Sequence, residues 1–259
     1  DWLGPDRQSI GREKAGIFRA AKPAVCGDPD PPPSVSAHAQ RVAAELRVLG
    51  RDFTLRRVAR GWHWQGQGSC YRDLPLPALS GAHQLANAAS VLMVLEMLSQ
   101  VLPVSRKALE GGLRWARQPG RIEIIPGKVE QVLDVSHNAQ AAQALVDTLR
   151  HLPLAGTTHA VLGMMADKDA EAFIGALRSE VQYWYAVGLP VARARQAQQL
   201  AAQIVDIIGS ADTVRSCASV FEALTSLRER TRAGDRVLVC GSFYTVAEWA
   251  RLKPAFGAG

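Results

Sequence analysis

The sequence predicts an α/β protein whose carboxy-terminal half is a doubly wound parallel sheet. After Gln118-Pro-Gly120, short apolar runs alternate with helix-like runs, which is typical of parallel strands covered by helices on both faces. The composition, 47% hydrophobic and 21% charged residues among 259, is that of a folded globular protein. Before Gln118, the strand-like runs are too few to form a sheet that all the predicted helices of this region could cover. We therefore predict an incomplete α/β region at 1–118 and a complete domain at 119–259.

Local patterns predict the elements of the first region. Ser9 can cap a helix, Gly50 can end one, and prolines stiffen the loop between them. Alternating residues interrupted by glycines favour short antiparallel strands. In order, we expect a helix at 9–18, a strand at 22–27, a stiff loop at 28–33, an amphipathic helix at 37–49, antiparallel strands within 53–71, an extended linker at 74–79, and helices at 83–98 and 105–115.

The second region alternates regularly between the two kinds of element. Its strand-like runs are apolar on both sides, as expected for strands that lie between two helical layers. We expect strands at 129–135, 160–163, 181–187 and 236–240, helices at 139–149, 170–177, 196–208 and 220–230, and a last helix after Tyr244.

Charge and cysteine usage narrow the class of protein. Thirty Lys and Arg against 24 Asp and Glu give a net charge of +6 without a basic block, which favours small anionic substrates and leaves nucleic acid as a weak alternative. Four cysteines without CxxC spacing favour reduced thiols in a cytoplasmic protein. No apolar run approaches the roughly 18 residues of a membrane span, and no secretory pattern is present. We expect a cytoplasmic protein with neither a membrane nor a nucleic-acid partner.

Polar residues follow several of the predicted strands of the second region. Leu133–Asn138 contains a carboxylate, an imidazole and an amide, Met164–Asp169 contains two carboxylates and a lysine, and Cys240–Thr245 combines a glycine with the start of a helix. The turn at Gly188–Pro190 carries no such group. Ligands of open parallel sheets bind beyond the carboxyl ends of the strands. The three clusters therefore predict one shared crevice.

Each of these clusters also has a purely structural interpretation. Asp134 and Asn138 are good helix caps, and His137 can serve as a structural hydrogen-bonding group. Asp169 we interpret as the start of a helix. The phosphate-binding pattern GxxxxGK[ST] and the dinucleotide pattern GxGxxG are both absent from the sequence, which disfavours a nicotinamide-dependent oxidoreductase.

Five segments carry a family resemblance. They are Asp1–Phe18 (DWLGPDRQSIGREKAGIF), His83–Ala89 (HQLANAA), Pro119–Arg121, Asp134–Asn138 (DVSHN) and Cys240–Val246 (CGSFYTV). In this order they resemble the folate branch of the Mur ligase superfamily, the bifunctional dihydrofolate synthase/folylpolyglutamate synthases. The segment LGMMADKD that ends at Asp169 also resembles a motif of that family. The resemblance implies that 1–118 is the carboxy-terminal part of a Mur ligase central domain and that 119–259 is its Rossmann-like carboxy-terminal domain.

The resemblance implies an ATP-dependent amide ligase. In that family ATP phosphorylates a carboxylate of dihydropteroate or of a folate's terminal glutamate, and the amine of L-glutamate attacks the acyl phosphate. Negative charge gathers on the reacting oxygens, so the chemistry needs Mg²⁺ and positioned cations. The implied ligands are ATP, Mg²⁺, L-glutamate, and dihydropteroate or folates, and the implied state is a monomer.

Lys14 matches the lysine that this family carbamylates. A carbamate offers hard oxygen ligands to Mg²⁺, whereas an ammonium repels the ion. The resemblance therefore assigns Lys14 a catalytic and metal-binding role. Taken from the residues alone, Lys14 would be a solvated helical lysine beside Glu13.

The resemblance assigns roles to five further residues. Asn87, Arg121 and Asp134 match positions that contact ATP, and Arg121 suits phosphate oxygens because its guanidinium is a planar, permanent cation. His137 matches a catalytic position that contacts the nucleotide and also helps to place glutamate. Ser242 matches a position that holds glutamate.

Two departures from the family pattern concern function. Ser136 stands where the family has a small Ala or Gly, and the family's amino-terminal segment, with its phosphate-binding loop and pterin pocket, is missing. Asp1 is thus interpreted as an internal residue of a longer ligase. We expect this chain alone to be inactive and poorly soluble, because half a sheet leaves edges unpaired. The alternatives are a peptidoglycan-type Mur ligase and a truncated, non-catalytic remnant that binds only a nucleotide or a partner.

Overall fold

The computed structural model describes residues 4, 6–79, 81 and 83–252, in two compact units. The first unit comprises Asp1–Ala78 and Ala82–Ala116, and the second comprises Leu79–Gly81 and Arg117–Gly259. Residues 1–3 and 5, which belong to the first motif of the family resemblance, lie outside the described part of the chain.

The first unit contains four helices and five strands among its described residues. In chain order they are α1 (Arg7–Ala15), β1 (Pro23–Cys26), α2 (Pro33–Arg41), β2 (Glu45–Val48), β3 (Thr54–Val58), β4 (Gly61–Gln65), β5 (Cys70–Leu74), α3 (His83–Met97) and α4 (Arg106–Trp115). Strands β3, β4 and β5 form the predicted antiparallel sheet. Ser105 caps α4 by accepting a hydrogen bond from the Ala108 backbone N–H, so the predicted start of this helix is confirmed.

One face of the antiparallel sheet packs against α3. Trp62, Trp64 and Leu74 are buried there, and the Trp64 indole N–H donates to the Ala89 carbonyl (3.1 Å). The buried indole is thereby hydrogen-bonded, which removes the cost of burying its polar atom. Within the described residues, no helix combines the length and the apolar character needed to cross a bilayer.

The amphipathic helix predicted at 37–49 is wrong over its second half. Helix α2 ends at Arg41, and Ala43 adopts a φ of +52°. Glu45–Val48 then forms β2, which pairs in parallel with β1. Over so few residues, the spacing of apolar side chains does not distinguish a helix from a short strand. Pairing with β1 determines that a strand forms. The predicted cap of α1 is also wrong, because Asp6 rather than Ser9 is the N-cap and accepts from the Ser9 N–H.

The second unit is a six-stranded sheet covered by five helices among its described residues. Its elements are β6 (Glu123–Ile125), β7 (Glu130–Leu133), α5 (Ala139–Leu149), β8 (Thr158–Leu162), α6 (Ala170–Leu177), β9 (Tyr183–Val187), α7 (Ala197–Ile208), β10 (Val214–Cys217), α8 (Val220–Arg230), β11 (Arg236–Cys240) and α9 (Phe243–Leu252). The strand order is β10-β9-β8-β11-β7-β6, and all neighbours are parallel except β6 and β7.

The helices form a layer on each face of this sheet. Side chains of α5, α6 and α7 pack on one face, and those of α8 and α9 pack on the other. The predicted doubly wound architecture is confirmed. Strands β6 and β10 were not predicted, because β6 has three residues and Val-Arg-Ser-Cys of β10 is largely polar. Both are edge strands, and an edge strand is buried less than a central one.

All four cysteines are free thiols, at Cys26, Cys70, Cys217 and Cys240. Burial raises the pKa of the Cys217 thiol to about 11 and raises the pKa of Cys240 as well. These two thiols remain protonated at neutral pH and serve as small apolar core residues.

A buried polar cluster lies at the amino ends of β8 and β11. The Asp235 carboxylate accepts hydrogen bonds from the Thr157 and Arg232 backbone N–H groups (2.8 and 2.7 Å), and His159 Nε2 lies 3.6 Å from Asp235 Oδ2. The His159 ring stacks on Tyr183 with centroids 4.8 Å apart. His159 Nδ1 has no hydrogen-bond partner among the described residues. Burial lowers the pKa of His159, although Asp235 opposes this shift.

We expect the second unit to lose stability as the pH falls below about 6.5. The unfolded chain binds a proton at His159 near that pH, whereas the folded chain, with its lowered pKa, takes up the proton only at lower pH. The expected loss is at most about 1.4 kcal/mol per pH unit. Asp235 does not contribute in this window because its pKa is lowered from an already acidic value. Hydrogen-exchange free energies of β8 amides at pH 7 and pH 5.5 measure the loss, and His159→Phe should reduce it. Equal pH slopes in the two proteins would contradict the assignment.

Candidate functional site

A pocket of about 520 Å³ opens at the carboxyl ends of the strands of the second unit. It lies among the loops that follow β7, β8, β9 and β11, where the chain leaves neighbouring strands β8 and β11 toward opposite faces of the sheet. This is the position where open α/β sheets bind ligands. Its lining residues are His137, Met165, Lys168, Val191, Ala192, Arg193, Gly241, Ser242, Phe243 and Tyr244.

His137 is half-buried in this pocket, in the loop that follows β7. Its Nδ1 lies 3.0 Å from the Val135 carbonyl oxygen. A carbonyl oxygen can only accept, so Nδ1 carries a proton and donates it. In the neutral imidazole, Nε2 then holds an unshared electron pair and can accept a proton from a ligand.

Two cations, Lys168 and Arg193, line the pocket around one carboxylate. Lys168 Nζ lies 3.0 Å from Asp167 Oδ2, and the Arg193 guanidinium lies 3.7 Å from Asp167 Oδ1. The hydrogen bond from Lys168 lowers the pKa of Asp167. Because two positive charges face one negative charge, this part of the pocket keeps a net positive charge. It can bind a second carboxylate.

Arg195 fixes the two loops that carry these cations. Its guanidinium donates to the backbone carbonyls of Ala166 and Lys168 (3.0 and 2.9 Å). Its backbone N–H donates to the Met164 carbonyl (2.8 Å). The loop after β8 and the loop after β9 are therefore linked through their backbones. This places the side chains of Lys168 and Arg193 on a supported framework.

Ser242 lines the pocket, but its hydroxyl is bonded within the protein. Ser242 is 4% exposed. Thr245 Oγ1 donates to the Gly163 carbonyl (2.9 Å), so the Ser242 hydroxyl donates to Thr245 Oγ1 (2.7 Å) and accepts from the Thr245 N–H (3.1 Å). Thr245 thus links the start of α9 to the residue that follows β8, and Ser242 supports Thr245. Its predicted contact with glutamate stays a prediction.

Arg121 and Asp134 lie next to one another in the fold. Arg121 is exposed, and its guanidinium carbon lies 5.8 Å from the ring centroid of Phe243, which lines the pocket. Asp134 is 5% exposed, and its carboxylate accepts hydrogen bonds from the backbone N–H groups of Ile122 and Ser136, both at 2.9 Å. The interpretation of Asp134 as a helix cap is therefore wrong. That of Asn138 is confirmed, because Asn138 caps α5.

Lys14 and Asn87 belong to the first unit. Lys14 is exposed on α1, and no described residue forms an ion pair with its ammonium. Asn87 is exposed on α3 and donates to Gln84 Oε1 (3.0 Å). The structure therefore brings His137, Arg121, Asp134 and Ser242 to the carboxyl edge of one sheet, and it shows Lys14 and Asn87 on two helices of the other unit.

Sequence reasoning missed two of the charged residues that line the pocket. Lys168 was part of a noted cluster without a role, and Arg193 was not singled out. The turn at Gly188–Pro190 carries no functional side chain, as predicted, but Arg193 and Arg195 lie just beyond it. The Ala166 N–H donates to the Arg193 carbonyl (2.8 Å), which brings this segment back to the pocket. Two arginines soon after a buried strand were the available signal.

Sequence comparison assigns this domain to a known family. Residues 120–243 match the Mur ligase glutamate ligase domain. The matched range includes the loops that carry Arg121, His137, Lys168 and Arg193. Residues 120–243 belong to the Mur ligase family.

Known proteins are similar to this chain over nearly its whole length. The dihydrofolate synthase/folylpolyglutamate synthase of Escherichia coli K12 is 37% identical over 95% of this chain and 56% of its own length. The structure of E. coli FolC in complex with DHPP and ADP has a TM-score of 0.86 at 37% identity, over 98% of this chain and 58% of its own. A bifunctional folylpolyglutamate synthase/dihydrofolate synthase with Mn, AMPPNP and L-glutamate bound has a TM-score of 0.85 at 38% identity, over 98% and 59%. The chain thus spans less than two thirds of these relatives.

The described residues do not form a complete metal site by themselves. Among them, no group of three or more His, Cys, Asp or Glu side chains is placed to hold an ion. Mg²⁺ usually keeps several water ligands and binds substrate phosphates, so one or two protein groups suffice, and a carbamate on Lys14 would supply one such group. Lys14 would thus hold the ion only together with phosphates and water.

Proposed function

We propose that this chain is the carboxy-terminal part of an ATP-dependent ligase that adds L-glutamate to dihydropteroate, to the glutamate tail of folates, or to both. One observation carries the proposal: the pocket holds a proton-accepting imidazole beside two cations, within a domain that matches the Mur ligase glutamate ligase domain. We assign the first unit to the carboxy-terminal part of the family's central domain.

The pocket suits L-glutamate as the attacking amine. Lys168 and Arg193 would bind its carboxylates, since ammonium and guanidinium groups both form charge-assisted hydrogen bonds with carboxylate oxygens. His137 Nε2 would accept the proton that the ammonium group must lose before its nitrogen can attack a carbonyl carbon. The apolar side chains of Met165 and Phe243 would cover the methylene groups.

Arg121 would contact the phosphates of ATP. It is a permanent cation beside the pocket, and its guanidinium is held over the Phe243 ring. The relatives support a nucleotide and a divalent metal, because solved structures contain ADP, or AMPPNP with Mn. A divalent ion supplies charge neutralisation at phosphoryl oxygens when bound. We propose Lys14 as a carbamate ligand of Mg²⁺ and Asn87 as an ATP contact from the first unit.

The purified 259-residue chain should show no ATP-dependent glutamate ligation. The chain contains no GxxxxGK[ST] sequence, so it lacks the lysine and hydroxyl that hold the phosphates in such loops. The measurement is incorporation of labelled L-glutamate into dihydropteroate or a folate with Mg-ATP. Turnover by this chain alone would contradict the prediction.

A longer protein provides the positive test of the proposed function. Sequencing the DNA upstream of the Asp1 codon should show an in-frame extension with a phosphate-binding loop, and the encoded protein should ligate glutamate to dihydropteroate or folate only when ATP is present. A UDP-muramyl acceptor serves as the matched control, since ligation to it would favour the peptidoglycan-type alternative. Failure with every acceptor would sink the proposal. We further propose a cytoplasmic monomer without nucleic-acid partners, to be checked by sedimentation and fractionation.

A further inference from the structure

A separate pocket of about 450 Å³ lies on the outer face of the antiparallel sheet β3–β5, in the first unit. The other face of this sheet is the one that packs against α3. Side chains alternate between the two faces along each strand, so the pocket is lined from alternate positions. The lining includes Thr54, Arg56, His63, Gln65, Cys70 and Arg72.

A β-bulge shapes the middle of this pocket. Between the positions paired with Trp62 and Trp64, strand β5 contains one residue more than β4. Two residues of β5, Arg72 and Asp73, therefore lie opposite His63. The bulge also turns the Asp73 backbone N–H toward the imidazole, and it donates to His63 Nδ1 (3.0 Å).

His63 lies between two arginines on this face. Arg56 is its partner on β3, and Arg72 lies opposite it on β5. Neighbouring strands are about 4.8 Å apart, so the three side chains leave the backbone within about 10 Å of one another. Because Nδ1 accepts a hydrogen bond, the proton of the neutral imidazole is on Nε2, which is then a donor. We call Arg56, His63 and Arg72 the donor row.

The positive charge of the donor row is not neutralised by the described part of the chain. Within it, no carboxylate pairs with Arg56 or Arg72, and neither guanidinium has a hydrogen-bond partner. The Asp73 carboxylate lies 4.0 Å from His63 Nδ1, but its side chain is 80% exposed and does not line the pocket. Like charges on neighbouring strands destabilise a sheet. A bound anion would offset this repulsion.

A row of neutral polar residues lies beside the donor row, two positions along the strands. Thr54 pairs with Gln65, and Gln65 pairs with Cys70. Two positions along a strand correspond to about 6.8 Å. Gln65 Nε2 donates to the Gly66 carbonyl (2.9 Å), so its Oε1 is left as an acceptor. The pocket thus has a cationic end and a neutral polar end.

We propose that this pocket binds the phosphate monoester of a small hydroxylated molecule, such as a sugar phosphate. A phosphate monoester offers three acceptor oxygens and close to two negative charges, which match the three groups of the donor row, whereas a carboxylate offers two oxygens. Hydroxyl groups of the ligand bond to Thr54 and Gln65 at the neutral end. The volume lies within the range of about 300–1,000 Å³ that is typical of small-molecule sites.

Amide chemical-shift titration of the whole chain with D-glucose 6-phosphate tests this proposal. In wild type we expect saturable shifts of amides in β3, β4 and β5. Arg56→Gln and Arg72→Gln should each weaken binding about fivefold, since each removes charge-assisted hydrogen bonds at an exposed site. Arg57→Gln is the matched control: it removes the same charge from the next, exposed residue of β3, on the other face, and should change the affinity less than about twofold. Unsaturable shifts in wild type, or equal affinities in R56Q, R72Q and R57Q, would overturn the proposal.

Two comparison ligands test the chemistry of each end of the pocket. D-Glucuronate, which carries a carboxylate on the same type of ring, should bind about fivefold more weakly than D-glucose 6-phosphate. Inorganic phosphate should bind about threefold more weakly, and Thr54→Val should remove most of this difference. Glucuronate binding as tightly as the sugar phosphate, or inorganic phosphate doing so in wild type, would contradict the assigned ligand class. The readouts involve neither ATP nor L-glutamate, so they stand or fall separately from the proposed ligase function.

Discussion

Replacing Arg193 by glutamine should weaken L-glutamate binding about 10-fold, and Lys168→Met should do the same. Both cations line the pocket, and both face Asp167 rather than separate carboxylates, so one charge remains available for a ligand. Hydrogen bonds to charged groups contribute about 1.5–3 kcal/mol, and the exposure of Arg193 places its effect near the lower value. Because both cations pair with Asp167, their effects are coupled, and the double variant should lose less than the roughly 100-fold that independent effects would give.

Amide chemical-shift titration of the whole chain with L-glutamate measures these effects, with L-glutamine as the competing ligand. Glutamine lacks the side-chain carboxylate, so wild type should prefer glutamate and the weaker variants should lose part of that preference. Arg150→Gln is the matched control. Arg150 pairs with Glu180 at the far end of α5, outside the residues that line the pocket. Equal glutamate affinity in R193Q, K168M and R150Q would show that the pocket does not use these cations.

The sequence was sufficient to predict the four central strands of the second unit and the edge of the sheet at which the pocket lies. Its central strands are apolar runs that can be buried only between two helical layers, and polar groups follow directly after them. Asn138 and Asp169 were correctly interpreted as helix starts, because a cap depends on local spacing alone.

Other features depend on contacts between distant residues. Whether 45–48 becomes helix or strand is decided by pairing with β1, which local apolar spacing does not encode. Arg193 reaches the pocket only because the loop after β9 is bonded back to the loop after β8. Asp134 was correctly placed near the site, yet its two backbone donors come from a separate turn and from its own strand end. Motif spacing identified the residue but not its partners.

Replacing Gly241 by alanine should lower the stability of the second unit by about 3–5 kcal/mol. Gly241 links β11 to α9 at the floor of the pocket, with a φ of +98°. An added Cβ would lie 2.7 Å from the Gly163 carbonyl oxygen and 2.6 Å from Leu162 Cδ1. The carbonyl belongs to the backbone at the end of β8, so it cannot move without disturbing the centre of the sheet.

Gly209→Ala separates the steric part of this effect from the backbone part. Gly209 has a comparable positive φ of +75° at the end of α7, but a Cβ there would meet no atom within 4 Å. It should cost about 1 kcal/mol, the conformational term alone. Hydrogen-exchange free energies of β8 and β11 amides measure both variants. Equal losses in G241A and G209A would mean that the β8–β11 junction yields easily to a methyl group. A large excess in G241A would show that the pocket floor is rigid, as a site that must hold Lys168 and His137 in fixed positions requires.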